Sequence, residues 1–436
     1  MRYLRLFWIA PFVFILALRG YASSVAQEAP ARAAAQVAPL EPGQLLRSET
    51  EHYVFESDSA REVHAEHAKV IEACWAPLKE FFGAEPKLKK SERLKVFFFE
   101  AEDRWAEKIK SDGTNAPLGA GGYYWPPTKT AYLWRQPSVY FTRQLLIHEV
   151  IHQFHFLGCC NNTGPKDIWY IEGIAEYLSR HFWDGEKLTL GALPVLSLED
   201  YSEKALELFA AKDFDFKGFA FSDRASSRPE QWAFVRYLQN AEQGKFKKQW
   251  SQIAKRLDRG ESAKNIFRSV FGDPKSLGDK VYEWLKTEQE PCKPVFNEWE
   301  GIAPGRIKGW ASVTSACRTR GDVTRLDAAL QVPEGPYIGG LLLHWANNDD
   351  YTVALIKSSG SVHVNRRVKD SWQVLFTGPA PKAADPKVYR LAAQRLESGV
   401  EFIIENQSYG PFDLPAGPLG LCLENCKLTF HDVTWK

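Results

Sequence analysis

The chain has a single methionine, at position 1, and only 10 histidines in 436 residues. It has no excess of either charge, with 55 Lys and Arg against 54 Asp and Glu and a formal net charge of +1. That balance excludes the basic footprint on which nucleic-acid binding depends. No internal repeat is present, so the chain is not a repeat array. One long apolar run exists, Leu6 to Leu18, and no later segment is long and apolar enough to cross a membrane. What is abundant is aromatic: 15 Trp and 27 Phe point to aromatic packing or aromatic-lined clefts. A composition of 44% hydrophobic and 25% charged residues excludes extended disorder for most of the chain, and the length suggests two or three domains.

Arg2 and Arg5 precede the apolar run, and Ser24-Val25-Ala26 follows as a cleavage site. Residues 1–26 thus read as a secretory signal peptide, with an uncleaved N-terminal anchor as the alternative. Its removal takes away Arg2, Arg5 and Arg19 and no acid. The mature protein is expected to be soluble and exported, secreted or periplasmic. Seven cysteines fit an oxidising compartment without proving disulfides, and an odd count leaves one unpaired in a monomer. Their spacing matches no zinc ribbon or finger. Cys422 and Cys426 are placed for a local bridge, and Cys74 could reach Cys159 or Cys160.

Residues 27–49, rich in Ala, Pro and Gln, read as a flexible lead-in. A short strand is expected at His52–Phe55, then a helix from Ser57 to about Phe82 ended by Gly83. Leu94–Phe99 is apolar enough for a central strand. Gly119–Trp125 and Thr130–Trp134 read as two strands joined across Pro126-Pro127. Helices follow from about Ser138 to Leu157 and from Asp167 to Phe182, and the pattern stays helical to about residue 288. Near Pro291 short alternating runs begin, including Gly340–His344, Tyr351–Ile356 and Val400–Ile404, the rhythm of an all-β sandwich. The fold class is α+β over 50–290, then all-β over 291–436.

The chemistry centres on His148-Glu149-Val-Ile-His152. On a helix the two histidines lie on one face, one turn apart, where both imidazoles can bind one zinc ion. Glu149 is placed to reach a water on that metal. The flanks Leu145, Leu146, Ile147, Val150 and Ile151 bury the helix, so its polar groups need partners. A third ligand must come from elsewhere. His155 and Gly158 stand where the longer HExxHxxGxxH pattern needs Gly and His, and no methionine is left to make a Met-turn. Trp169-Tyr-Ile-Glu172-Gly-Ile-Ala-Glu176-Tyr177 supplies Glu172 instead, with Glu176 one turn later to orient a ligand imidazole.

These two motifs resemble the gluzincin (peptidase MA-like) zinc metallopeptidases, and most of all secreted bacterial members with W-x-x-E-G-x-A-E-Y. The resemblance spans about residues 50–290, and its specific part is 119–177. It implies a zincin-like fold and one zinc ion per chain, held by His148, His152 and Glu172. It also implies Glu149 as general base and a peptide or protein substrate. Zinc would acidify water and polarise the scissile carbonyl while Glu149 carries the proton. An edge strand in such enzymes binds the substrate backbone, and Gly121, Gly122 and Tyr123 occupy the corresponding place. The expected transition-state donor is missing, since no His lies between His181 and His344. Arg228, Tyr237 and Tyr170 are the candidates for that role.

Other features read more plainly. His155 is a packed or solvent-tipped helix residue in preference to a ligand, and His64 and His67 face solvent. Asn347–Asp350 is a hairpin turn in preference to a calcium loop. The C-terminal part resembles concanavalin A-like, laminin-G-like jelly rolls, through Tyr351–Leu355, Trp372–Phe376 and Thr429–Val433. That resemblance implies a module for docking or for glycan binding, with Trp345 and Trp372 as core or stacking residues. The reading from another class is a catalytically weak zinc scaffold whose sandwich binds glycan.

Overall fold

The computed structural model describes residues 44–436 except 116, 118, 163, 196–199, 290, 291, 297 and 322. The signal-peptide expectation over 1–26 lies outside the described residues. The chain divides into two compact units, Met1–Arg180 with Asp215–Gly278, and His181–Phe214 with Asp279–Lys436. Residues 181–214, grouped by sequence with the first domain, thus belong to the second unit.

The first unit opens with β1 (Leu46–Glu49), β2 (Tyr53–Ser57), α1 (Arg61–Phe82), β3 (Leu94–Phe99) and α2 (Glu102–Ser111). It continues through β4 (Gly122–Trp125), β5 (Thr130–Trp134), α3 (Val139–Cys159) and α4 (Ile168–Ser179). The hairpin β6 (His181–Trp183) and β7 (Leu188–Leu190) and helix α5 (Tyr201–Ala210) belong to the second unit. The first resumes with α6 (Phe216–Ala220), α7 (Arg228–Asn240), α8 (Lys247–Leu257) and α9 (Ala263–Phe271), followed by α10 (Pro274–Leu285).

Its sheet runs β1-β2-β3-β5-β4. β3 pairs parallel with β2 and β5, while β1 and β4 close the two edges antiparallel. The apolar run Leu94–Phe99 takes the centre because both its faces are covered. Part of the expected lead-in is therefore structured: Leu46–Glu49 is an edge strand whose Arg47 pairs with Glu56 across the ladder at 2.7 Å.

His64 and His67 are not solvated, which corrects the sequence expectation. The charged residues of α1 obscured an i, i+3, i+4, i+7 row of His64, His67, Ala68 and Ile71, and that row faces the core. His64 is held between Ser48 Oγ and Ser57 Oγ, both at 2.8 Å, and His67 meets Phe98 edge-on at 4.9 Å. The stretch expected to be helical to residue 288 is also interrupted, by the β6–β7 hairpin.

Helix α3 is the spine of the site. Ser138 caps it, its Oγ accepting from Phe141 N at 3.0 Å. Every side chain from Thr142 to His155 is buried. α3 packs on α1 and α4, and α4 packs on α7. That last contact is close because residue 173 is glycine: a Cβ there would lie 2.7 Å from both Gln231 O and Val235 Cγ2.

The second unit contributes β8 (Cys292–Pro294), β9 (Glu298–Ala303), β10 (Arg306–Trp310), β11 (Thr314–Thr319), β12 (Arg325–Gln331), β13 (Ile338–Asn347) and β14 (Asp350–Lys357). It ends with β15 (Ser361–Val368), β16 (Ser371–Pro379), β17 (Val388–Leu396), β18 (Gly399–Ile404), β19 (Gln407–Phe412), β20 (Gly420–Glu424) and β21 (Lys427–Trp435). Two seven-stranded sheets form, β19-β18-β17-β12-β21-β10-β9 and β16-β15-β14-β13-β20-β11-β8. Their inner faces share one core that includes Leu330, Phe402 and Phe430 from the first and Leu343, Ile356 and Leu421 from the second. This is the all-β sandwich expected from the strand rhythm, and with the helices of the first unit it makes the chain α+β.

Asn347–Asp350 is the β13–β14 turn, with Asp349 N donating to Asn347 Oδ1 at 2.8 Å. None of the seven cysteines is in a disulfide. Neither expected pairing forms; the thiols that meet are Cys292 and Cys317, 2.8 Å apart on neighbouring strands.

Candidate metal centre

The i, i+4 spacing on α3 brings His148 Nε2 and His152 Nε2 to 3.0 Å of each other. Helix α4 adds Glu172, whose Oε2 lies 3.3 Å from His148 Nε2 and 3.4 Å from His152 Nε2. Around a tetrahedral zinc ion with bonds of about 2.0–2.1 Å, donors are about 3.3 Å apart, so the set fits such an ion. All three residues are buried. Burial holds His148 well below the usual imidazole range, aided by the charges of His152 and Arg228. Burial also lowers His152 to about 4, with Glu149 opposing and Arg228 assisting. Both rings are thus neutral, the form that ligates metal.

Glu176, one turn beyond Glu172, puts Oε1 3.5 Å from His148 Nδ1, where it can fix the orientation of that ring. Arg228, at the start of α7, is in the site, but as a counter-charge. Its Nη1 bonds Glu172 Oε2 and its Nε lies 3.7 Å from Glu176 Oε1. The bare backbone at Gly173 is what lets α7 come close enough for this. Burial lowers the Arg228 guanidinium to about 10, against the opposing charge of Glu149.

Glu149 faces β4. A Cβ on Gly122 would sit 2.7 Å from Glu149 Cγ and Oε1, so a side chain there would push the Glu149 carboxylate aside. Trp134 N donates to Gly121 O at 3.1 Å, and alternation along the ladder turns the backbone of residues 122 and 124 away from β5. The Tyr124 backbone N–H accordingly donates to Glu149. Burial raises Glu149 to about 7, opposed by His152, Arg228 and that N–H. Tyr123 lies half-buried beside it; burial raises its phenol first, a hydrogen bond to Thr114 opposes, and the Glu149 charge adds. Gly121 packs on Gln136 and Leu145.

The other two donor candidates sit elsewhere. Tyr170 gives its hydroxyl to Asp258 Oδ1 at 2.9 Å. Tyr237 is nine residues past Arg228 on α7, about 13 Å along the axis, and packs on Phe246 at 5.1 Å between ring centres. His155 is fully buried, stacked on Phe82 and bonded to Asp258 Oδ1 at 2.9 Å. The Tyr124 amide and Asp258 were not foreseen from sequence. An amide leaves no sequence signal, and Asp258 lies 103 residues from His155.

In the second unit Trp345 is buried against Phe296 and Tyr351, whereas Trp372 is 46% exposed on the edge strand β16. No described helix is long and apolar enough to cross a membrane.

No protein-family model matches the chain, and no curated protein matches it. Among solved structures it is similar to a carbohydrate-binding module of Bacillus subtilis, at 14% identity over 34% of this chain and 95% of that one, with a TM-score of 0.30. It is also similar to a Caenorhabditis elegans galectin, at 17% identity over 31% of this chain and 99% of that one, with a TM-score of 0.24. A toad ovary galectin in complex with thio-digalactose matches at 12% identity over 29% of this chain and 100% of that one, with a TM-score of 0.22.

Proposed function

We propose that the first unit is an exported zinc-dependent peptidase of gluzincin type. The observation that carries this reading is the meeting of three metal-ligating atoms with a buried carboxylate beside a sheet edge. His148, His152 and Glu172 would hold the ion, which when bound supplies Lewis acidity toward water and a carbonyl. Glu149 takes a proton from the attacking water and returns it to the leaving nitrogen. The β4 edge at Gly122 and Tyr123 aligns an extended substrate by strand addition. Arg228 would have to release Glu172 and could then face the developing oxyanion.

A second reading rests on that same Arg228–Glu172 pair and on the commitment of Tyr170 to Asp258. Here the first unit is a catalytically weak metal scaffold and the sandwich binds extracellular glycan. The exposed Trp372, edge-on to Tyr351 at 5.6 Å, provides an aromatic face for it.

Elemental analysis and a peptide-library digest, run on wild type, Glu149→Gln and Glu172→Gln, separate the two. The peptidase reading expects one zinc at this site, weakened by Glu172→Gln, and cleavage lost in Glu149→Gln with metal retained. Metal without any cleavage moves the reading to the scaffold, and a glycan array then tests the sandwich. No bound metal sinks both readings of this centre.

A further inference from the structure

We infer that the C-terminal end of α3 builds a second, separate cation site, for a thiophilic divalent ion of the zinc type, from His155, Cys160 and Asp258. Two helix C-termini meet there. His155 lies in the last turns of α3, Cys160 is its C-cap, and Asp258 is the C-cap of α8. One oxygen, Asp258 Oδ1, is the focus: His155 Nε2 is 2.9 Å from it, Cys160 Sγ 3.6 Å and Tyr170 Oη 2.9 Å. The ligand atoms of His155, Cys160 and Asp258 all lie within 4.8 Å of one another.

Bonds of about 2.0–2.1 Å to nitrogen and oxygen and about 2.3 Å to sulfur put tetrahedral donors about 3.3–3.6 Å apart; the Cys160–Asp258 spacing matches this, and the His155–Asp258 hydrogen bond would open by a few tenths of an ångström on binding. A mixed set of one thiolate, one imidazole and one carboxylate selects zinc-like ions over calcium or magnesium. Asp258 forms no ion pair with Lys or Arg among the described residues, so its largely buried charge has only His155 as a partner able to carry positive charge. A bound cation would neutralise it. Binding releases the Cys160 proton to solvent and leaves His155 neutral, as thiolate and imidazole ligation require. Tyr170 donates to the carboxylate and holds it in place. The site shares no ligand with the first centre: His155 is three residues past His152, and its ring bonds Asp258 instead of Glu172. It would clamp α8 to α3.

Cobalt(II) is the probe, added to the reduced full-length protein. The first centre has no sulfur ligand, so a near-ultraviolet thiolate-to-cobalt charge-transfer band does not come from it, and the part of the band lost in Cys160→Ser belongs to the second site. The band is expected in wild type and unchanged in Glu172→Gln. It should vanish in Cys160→Ser, and Asp258→Asn should weaken the cobalt affinity behind it by more than about tenfold. Far-UV circular dichroism checks that both variants fold, and the Asp258→Asn titration decides if Cys160→Ser does not. No thiolate band in the wild type overturns the proposal. So does a band that survives in folded Cys160→Ser, or wild-type affinity in Asp258→Asn.

Discussion

The two units bury different kinds of residue. The first hides Arg143, Glu149, Asp167, Glu172, Glu176, Arg180, Glu230 and Arg236 along with five histidines. Among the described residues of the second, no Asp, Glu, Lys or Arg is buried. Desolvated charge costs free energy that apolar packing does not. Keeping those charges buried requires each to be paired, as Arg228 is with Glu172. A unit whose interior holds no full charge gains its stability from packing without that requirement.

The largest effect should come from breaking this contrast directly. Phe402→Glu puts a carboxylate into the sandwich core with nothing to pair it. A loss on the order of 5 kcal/mol or more is expected, read as failure to fold or a collapsed urea midpoint in the full-length chain. Normal stability would mean the sandwich interior is more forgiving than its packing implies.

Arg228→Ala tests the charge cluster from the other side. It leaves Glu172 and Glu176 facing each other without their cation. The metal-free protein should lose about 3 kcal/mol, and saturating zinc should restore much of it. Thermal melts with and without chelator measure both, and an equal loss in the two conditions would show that Arg228 does not stand in for metal.

The smallest effect is a slope. Burial, with Arg143 and His64 assisting, lowers His67 to about 3, while the unfolded chain protonates it near the ordinary 6.5. The unfolded state therefore takes up the proton first, and folding stability falls as pH falls from about 6.5 toward about 3, by up to roughly 1.4 kcal/mol per pH unit. Above pH 6.5 this contribution is fully present. His67→Phe should flatten that part of the curve in urea unfolding at pH 4.5 and 6.5. An unchanged slope would mean that His67 does not drive it.

Legibility in the sequence followed distance along the chain. The His148–His152 pair and its apolar flanks are local, so spacing alone puts both rings on one buried face. Glu172 and Glu176 needed only one further helix. Arg228 was recognisable as a nearby group but not as the partner of Glu172, because the contact depends on backbone approach at Gly173, 55 residues away. Asp258 was invisible for the same reason. The strand Leu46–Glu49 was missed because an edge strand of four residues has half its surface in water and little apolar signal. The sandwich was legible because each strand alternates on its own, whereas its order, with β20 inserted between β13 and β11, was not.

Helix α3 has no side turned to water from Thr142 to His155. An amphipathic helix offers half its positions to drift, but this one offers none. Any substitution in that span either changes the volume of a closed interior or removes a charge that something else is balancing. Neutral variation around the centre must therefore accumulate in the loops and in the outer faces of its neighbours. A search for descendants of this site would do better to match fourteen consecutive side chains than five.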